Sequence, residues 1–258
     1  MENRWRLLKV SYSSANQNLA LEESLFSCAD YQFQPTIRFW INPPSVIVGR
    51  FQAVKLEVDT NLCTKHGIAI VRRFTGGGAV YHDEGNLNFT ILNRRQGGSV
   101  TKLHEINSSY IIAALKSMGL QSKCVSPNSV YLEGRKISGA ACALNSHYTL
   151  WHASILVSTD TTTLRQVLSP SRETIESNFV RSKWRPVTTL NEHLSKPINV
   201  EEFSLQLTRS IGHLTGVDLQ PGHLSETEEE MSRTLYDRKY GPSRWNLHGT
   251  VENDVKEE

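Results

Sequence analysis

The chain has 258 residues, 38% of them apolar and 21% charged, an ordinary globular balance with enough length to bury a core without disulfide or metal staples. Lys plus Arg (28) nearly cancels Asp plus Glu (26), leaving +2, which excludes wholesale wrapping of nucleic acid but leaves room for a local anion site. A disordered tail protein, a solenoid and a basic polyanion coat are excluded on the same grounds.

Short strands and helices alternate along the chain without repeats or a low-complexity linker. Ser14 precedes a helix over 15–29, with Leu21, Leu25 and Cys28 at helical spacing. TIRFWI (36–41) and SVIVG (45–49) read as two strands around the tight turn Asn42-Pro43-Pro44. IAIVRR (68–73) is a strand that stops at Thr75-Gly76-Gly77-Gly78, and NLNFTIL (86–92) alternates as a half-buried strand. Over 104–118, Ile106, Tyr110, Ala113 and Ala114 share a helical face. SVYLE (129–133) and TLWHASILV (149–157) are strands, the latter with Trp151, Ala153, Ile155 and Val157 on one face and His152 and Ser154 on the other.

The last hundred residues read as mainly helical. Asp160 caps a helix to Leu168. Asn199 with Glu202 forms a capping box for a helix carrying Phe203, Leu207, Ile211 and Leu214, and Ser225 with Glu228 opens another carrying Met231 and Leu235. The expectation is one α+β domain over 1–248 followed by a disordered acidic tail over 249–258, with 183–197 as the alternative boundary.

Cys28, Cys63, Cys124 and Cys142 show neither CxxC nor zinc spacing, so free thiols in a reducing cytoplasm are expected. The N-terminal stretch lacks the apolar core of a secretory signal. The longest uncharged run, 137–159, contains nine Ser, Thr, Asn or His residues, a poor composition for crossing a bilayer. A cytoplasmic protein with no membrane or nucleic-acid partner is expected.

The densest signal is Arg72-Arg73-Phe74-Thr75-Gly76-Gly77-Gly78-Ala79-Val80-Tyr81-His82-Asp83. Three glycines after a strand expose successive backbone N–H groups, a nest for phosphate or carboxylate, and the paired arginines add charge-assisted donors. A glycine-rich turn with two solvated arginines is the competing reading. The segment contains neither a P-loop nor a dinucleotide fingerprint. The second signal, Glu133-Gly134-Arg135-Lys136-Ile137-Ser138-Gly139-Ala140-Ala141, places a lysine after a hairpin-like turn, beside small residues, where an ammonium can neutralise developing negative charge. A surface turn with two basic residues is the alternative.

Taken in order with LWHASILVSTD, these segments resemble the lipoate–protein ligase family, within the wider biotin/lipoate ligase group. The resemblance runs from Ala20-Leu21-Glu22-Glu23 to Tyr236-Asp237-Arg238-Lys239-Tyr240 and Trp245-Asn246. It implies a mixed β-sheet with a smaller second sheet, flanked by helices. It also implies two steps: lipoate and ATP form lipoyl-adenylate, and the lipoyl group then passes to a lysine of a lipoyl-domain acceptor protein. Mg²⁺ is expected with ATP, its ligands unassigned. By position, Lys136 matches the catalytic lysine, while Arg73, Thr75, Gly76, Gly77 and Gly78 match the loop around the lipoyl-adenylate. Val80, His82 and Asn86 match the pocket lining after that loop, and Ala141 and His152 the wall near the lipoyl tail. The form of the first motif is closer to lipoate than to biotin enzymes.

Three departures stand beside the resemblance. Asn128-Ser129 replaces the usual Asn-Asp, removing a carboxylate. The larger ligases continue into an accessory domain, and relatives of this shorter build can depend on a separately encoded accessory protein. Cys124 lies twelve residues before Lys136, in the loop where related octanoyl- and lipoyl-transferases carry a thiolate nucleophile; Cys142, among small residues, is a weaker nucleophile. An octanoyl/lipoyl transferase using Cys124 and a lipoate-binding module without catalysis are therefore the alternatives.

Overall fold

Alternating side chains put Trp151, Ala153 and Ile155 on one face of a strand and His152 and Ser154 on the other, and both faces are covered. The computed structural model describes residues 4–126, 128–168 and 179–251. Eight strands form a mixed sheet in the order β11 (Asp218–Pro221), β1 (Arg4–Leu8), β2 (Thr36–Trp40), β6 (Asn86–Arg94), β10 (Tyr148–Leu156), β9 (Arg135–Leu144), β8 (Ser129–Leu132), β7 (Ser122–Ser126). Within this sheet the β1–β11 and β1–β2 pairs are parallel and the other described pairs antiparallel. A second sheet has β3 (Ser45–Val48) between β4 (Ala69–Arg72) and β5 (Val80–His82).

Helices α3 (Val100–Ser117) and α5 (Val200–Thr215) cover one face of the large sheet. There Ile111, Leu115, Phe203, Leu207 and Ile211 pack with Phe89, Trp151 and Ile155. The α5 capping box closes as expected, and Gly216 at φ 66 ends the helix in the left-handed conformation. Helix α1 (Ala15–Cys28) covers part of the opposite face through Leu21 and Leu25. Its other side meets Trp40, Ile47, Val71 and Trp245 at the junction with the small sheet. Helices α2 (Thr60–Lys65) and α4 (Thr161–Val167) stand beside the small sheet, with Leu164 and Val167 packed on Val46 and Tyr81. Helices α6 (Glu226–Leu235) and α7 (Ser243–His248) end the described chain.

Several expectations need correction. The two strands expected at 36–41 and 45–49 form, in different sheets: β2 joins β6 in the large sheet and β3 joins β4 and β5. Pro43 and Pro44 have no N–H to give a ladder, and the turn instead carries the chain between sheets. Strand β6 is buried on both faces rather than half-buried; its polar residues Asn86, Asn88 and Thr90 line an interior polar layer. Ile106 is exposed, because α3 turns His104, Ile111, Ala114 and Leu115 to the sheet. Leu214 is also exposed.

Strands β1, β7 and β11 and the extension of the lysine segment into β9 carry no clear periodic signal in the sequence. The uncharged run 137–159 spans β9 and β10 and their hairpin, and no described helix is long and apolar enough to cross a membrane. Of the expected acidic tail, Gly249 caps α7 at φ 80 and Val251 packs beside Trp245; residues 252–258 lie outside the described residues.

Candidate active site

Strand β4 delivers two adjacent arginines into the interior, and they do different work. Arg72 spends its guanidinium on carbonyls of Gly49, Arg50, Gln52, Trp245 and Leu247. Trp245 Nε1 and Asn246 Oδ1 bond the Arg72 backbone in return. This arginine ties the chain's C-terminal helix to the strand before the glycines and offers nothing to a ligand. Arg73 donates to Ile47 O, Thr75 Oγ1, Gly76 O and Gly78 O, holding the glycine loop from within. Neither is the solvated arginine of a surface turn, since both are buried. Gly77 sits at φ 94, a conformation that favours glycine. A Cβ at Gly49 would lie 2.1 Å from Gly77 O, so the loop needs glycine on both sides of that contact.

Two hydrogen-bond chains run behind this loop. In the first, Arg73 Nε donates to Thr75 Oγ1, which stands 2.9 Å from His152 Nε2, while His152 Nδ1 stands 3.0 Å from Glu22 Oε2. The other Glu22 oxygen accepts from Thr90, whose hydroxyl accepts from Trp40 Nε1. Burial pushes the Glu22 carboxyl up, but His152, Arg38 and Thr90 outweigh it and hold it below its usual range. The carboxylate, an acceptor only, therefore holds the His152 ring with a hydrogen on Nδ1 and turns Nε2 toward the Thr75 hydroxyl.

In the second chain, Arg38 Nη2 donates to Asn18 Oδ1, Asn18 Nδ2 to Asn42 Oδ1, and Asn42 Nδ2 to His82 Nδ1. That order leaves the His82 hydrogen on Nε2, a buried atom with no partner among the described residues. Burial, with Arg73 and His152 nearby, lowers the His82 pKa to about 3.

Lys136 enters from β9. Glu133 at φ 45 and Gly134 at φ 77 make the two-residue turn into that strand, and the β8–β9 register skips Ile137. The Lys136 N–H donates to Pro186 O, and its carbonyl accepts from Thr188 N, which clamps the backbone beneath the segment 181–188. Its ammonium lies over Gly139, where a Cβ would come within 2.7 Å of Nζ. Desolvation lowers the Lys136 pKa, and Arg185 and Arg73 lower it further.

The lysine lines two adjoining cavities. One, of about 450 Å³, runs past Arg73, Gly77 and Gly78 to Leu19, Trp40, His82, Asn88, Ala141 and His152. The other, of about 130 Å³, lies between Tyr81, Leu156, Leu164, Leu168 and Val187. Both share Val80, Lys136, Gly139, Ser182 and Arg185. The carboxylates at these cavities are committed: Glu22 to His152, and Glu57 to Arg181 Nε and Ser182 N. Lys136 itself has no carboxylate partner among the described residues, so the junction carries uncompensated positive charge and suits an anion.

The structure thus gathers Lys136, Arg73, Gly77, Gly78, Val80, His82, Ala141 and His152 at one cavity. Thr75 stands behind it as the partner of His152, and Asn86 reaches it only through Asn88. Cys124 lies on edge strand β7 rather than in a loop; it is exposed, with Sγ 2.8 Å from Ser126 O, and lines neither cavity. Cys142 faces His104, and burial raises its thiol pKa. No cluster of three His, Cys, Asp or Glu side chains among the described residues is placed to hold a metal. Glu22, Gln52, Glu57, Asn88 and Ser182 are site residues that sequence reasoning missed. The apolar periodicity of α1 hid Glu22, and the other four stand outside any motif with a spacing rule.

Comparison with known proteins places the chain in a family and a fold. The family model of the lipoyl protein ligase A/B catalytic domain matches residues 14–212. Lipoate-protein ligase A subunit 1 of Thermoplasma acidophilum is 31% identical over 265 residues, covering 99% of this chain and 100% of that protein. Octanoyltransferase LipM of Symbiobacterium thermophilum is 29% identical over 275 residues, covering 96% and 99%. A chain from the bi-partite lipoate protein ligase of T. acidophilum, described with its E2 lipoyl domain, superimposes with a TM-score of 0.86 at 30% identity, covering 98% of this chain and 99% of that one. A lipoate-protein ligase A bound with ATP gives 0.86 at 29% identity, covering 96% and 100%. The chain belongs to the lipoate–protein ligase family and is an enzyme of the lipoate ligase/transferase type.

Proposed function

We propose that the protein is an ATP-dependent lipoate–protein ligase of the cytoplasm, with residues 1–248 acting as one catalytic unit. The observation that carries this reading is Lys136: an ammonium without a carboxylate partner among the described residues, at the seam of two cavities. Two substrates joined through one anionic centre fit that layout. The larger cavity, with Leu19, Trp40 and Ile47 in its wall, takes the acyl chain, each buried CH₂ adding about 0.8 kcal/mol. The smaller takes the nucleoside. In the first step a lipoate carboxylate oxygen attacks the α-phosphorus of ATP and pyrophosphate leaves. In the second, the acceptor lysine amine attacks the acyl carbonyl and AMP leaves. Neither step needs an enzyme nucleophile; both build negative charge beside the Lys136 ammonium, where one fixed donor is worth about 10²–10³ in rate.

The acceptor is a lipoyl domain, and an accessory subunit assists, as the two-part relative from T. acidophilum supports. The transferase alternative is supported by the octanoyltransferase relatives, but Cys124 is on the outer edge strand, off both cavities. A lipoate-binding module without catalysis gives Lys136 nothing to do beyond ligand binding. A lipoylation assay with purified lipoyl domain, with and without ATP and a candidate small partner, separates the three. Product only with ATP, undiminished in Cys124→Ala, is expected. Product without ATP that Cys124→Ala abolishes would establish the transferase, and absence of ATP-dependent pyrophosphate release under every condition would leave the binding module.

A further inference from the structure

The segment 181–188 crosses the glycine loop, and Ser182 is its most constrained side chain. Ser182 Oγ accepts from Gln52 Nε2 at 3.0 Å and from the Ala79 N–H at 2.9 Å. Gln52 is itself buried and locked, because its Oε1 accepts from Gly49 N. The Ser182 backbone is held too: its N–H donates to Glu57 Oε2 at 3.1 Å, and the preceding Arg181 Nε donates to Glu57 Oε1 at 3.0 Å. Gly78 makes room, since a Cβ there would lie 2.9 Å from Ser182 Oγ.

A serine hydroxyl has two lone pairs and one hydrogen. With both lone pairs occupied, the hydroxyl cannot rotate freely, and its hydrogen points in the one direction left. No acceptor for it is present among the described residues. Ser182 lines both cavities, as Lys136 does, so a ligand that bridges them passes this hydrogen at the group joining its two halves.

We propose that Ser182 is a directed hydrogen-bond donor to a non-bridging oxygen of the anionic phosphoryl group that joins the acyl and nucleoside halves of the bound intermediate. Gln52 and Glu57 act as positioning residues for it. The assignment rests on the adenylate reading above. Gln52 sets the hydroxyl rotor, Glu57 sets the backbone, and neither needs to touch the ligand.

Calorimetric titration of the full chain with lipoyl-sulfamoyl adenosine, a stable mimic of lipoyl-adenylate, and with lipoate alone tests this. Ser182→Ala is expected to weaken the mimic about 10- to 100-fold, the range for a lost hydrogen bond to a charged group, and to leave lipoate alone within about twofold. Gln52→Glu keeps the side-chain shape but turns the donor into an acceptor that captures the Ser182 hydrogen. It should weaken the mimic in the wild-type background and do markedly less in Ser182→Ala. A Ser182→Ala variant that binds the mimic like wild type, or loses lipoate and mimic equally, overturns the donor assignment alone. Wild type that fails to bind the mimic, with the accessory subunit present if lipoylation requires it, overturns the adenylate reading and the donor role with it.

Discussion

Strand β10 presents Trp151, Ala153 and Ile155 to an apolar core with α3 and α5, and His152 and Ser154 to the cavity side. Both faces are buried, yet they are built on opposite logic. On the core face the one polar atom of Trp151, Nε1, is satisfied by His104 Nδ1 at 2.9 Å, and the rest is close packing, with Phe89 edge-on at 5.6 Å. On the cavity face the polar groups form directed chains, and donors such as the Lys136 ammonium, the His82 Nε2–H, Asn88 Nδ2 and the Ser182 hydroxyl are left without partners among the described residues. The fold concentrates its packing on one side of the sheet and keeps its unspent donors on the other.

Breaking the core face has the largest effect on stability. Trp151→Ala removes the largest fully buried side chain and should cost about 3–5 kcal/mol in urea unfolding, while the turnover of the molecules still folded is unchanged. On the cavity face, Glu22→Gln leaves His152 Nδ1 and Thr90 facing a neutral amide that can accept on only one side. A loss of about 1–3 kcal/mol is expected in the same measurement, accompanied by weaker lipoate binding, which Trp151→Ala does not cause.

The cavity face should also make the fold acid-sensitive. His82 takes up a proton near 6.5 when unfolded but only near pH 3 when folded. Between those values the unfolded state binds more protons, so stability is full above pH 6.5 and falls with decreasing pH by about 1.4 kcal/mol per unit. His82→Asn keeps an acceptor for Asn42 and should flatten that slope in a pH series of unfolding midpoints. Smallest of all, Ile106→Ala on the exposed side of α3 should change stability by less than about 0.5 kcal/mol; a larger loss would place Ile106 in the core after all.

How much of this was legible beforehand depends on whether a residue's role is local. The caps at Asp160, Asn199 and Ser225 and the Glu133-Gly134 turn involve neighbours a few residues apart, and they form as read. The alternation over 149–157 also read correctly, because β10 has one apolar face. The same rule misled at β6, where Asn86, Asn88 and Thr90 look solvent-facing by polarity but meet the buried Glu22 layer. The split between Arg72 and Arg73 was not legible, since it depends on carbonyls up to 175 residues away. Ser182 and Glu57 were invisible for the same reason: their meaning comes from a strap that returns 125 residues later.

In the proposed reaction the Lys136 ammonium serves chemistry and not the fold. The most direct test of this measures ATP-dependent pyrophosphate release with lipoate and the thermal unfolding midpoint on the same preparation of Lys136→Ala, with the accessory subunit present if wild type requires it. Pyrophosphate release is expected to fall by about 10²-fold or more, with a midpoint equal to or above that of wild type, because an ammonium without a counter-charge has been removed from the protein. Wild-type pyrophosphate release in the variant, or a loss explained by its unfolding, would contradict it.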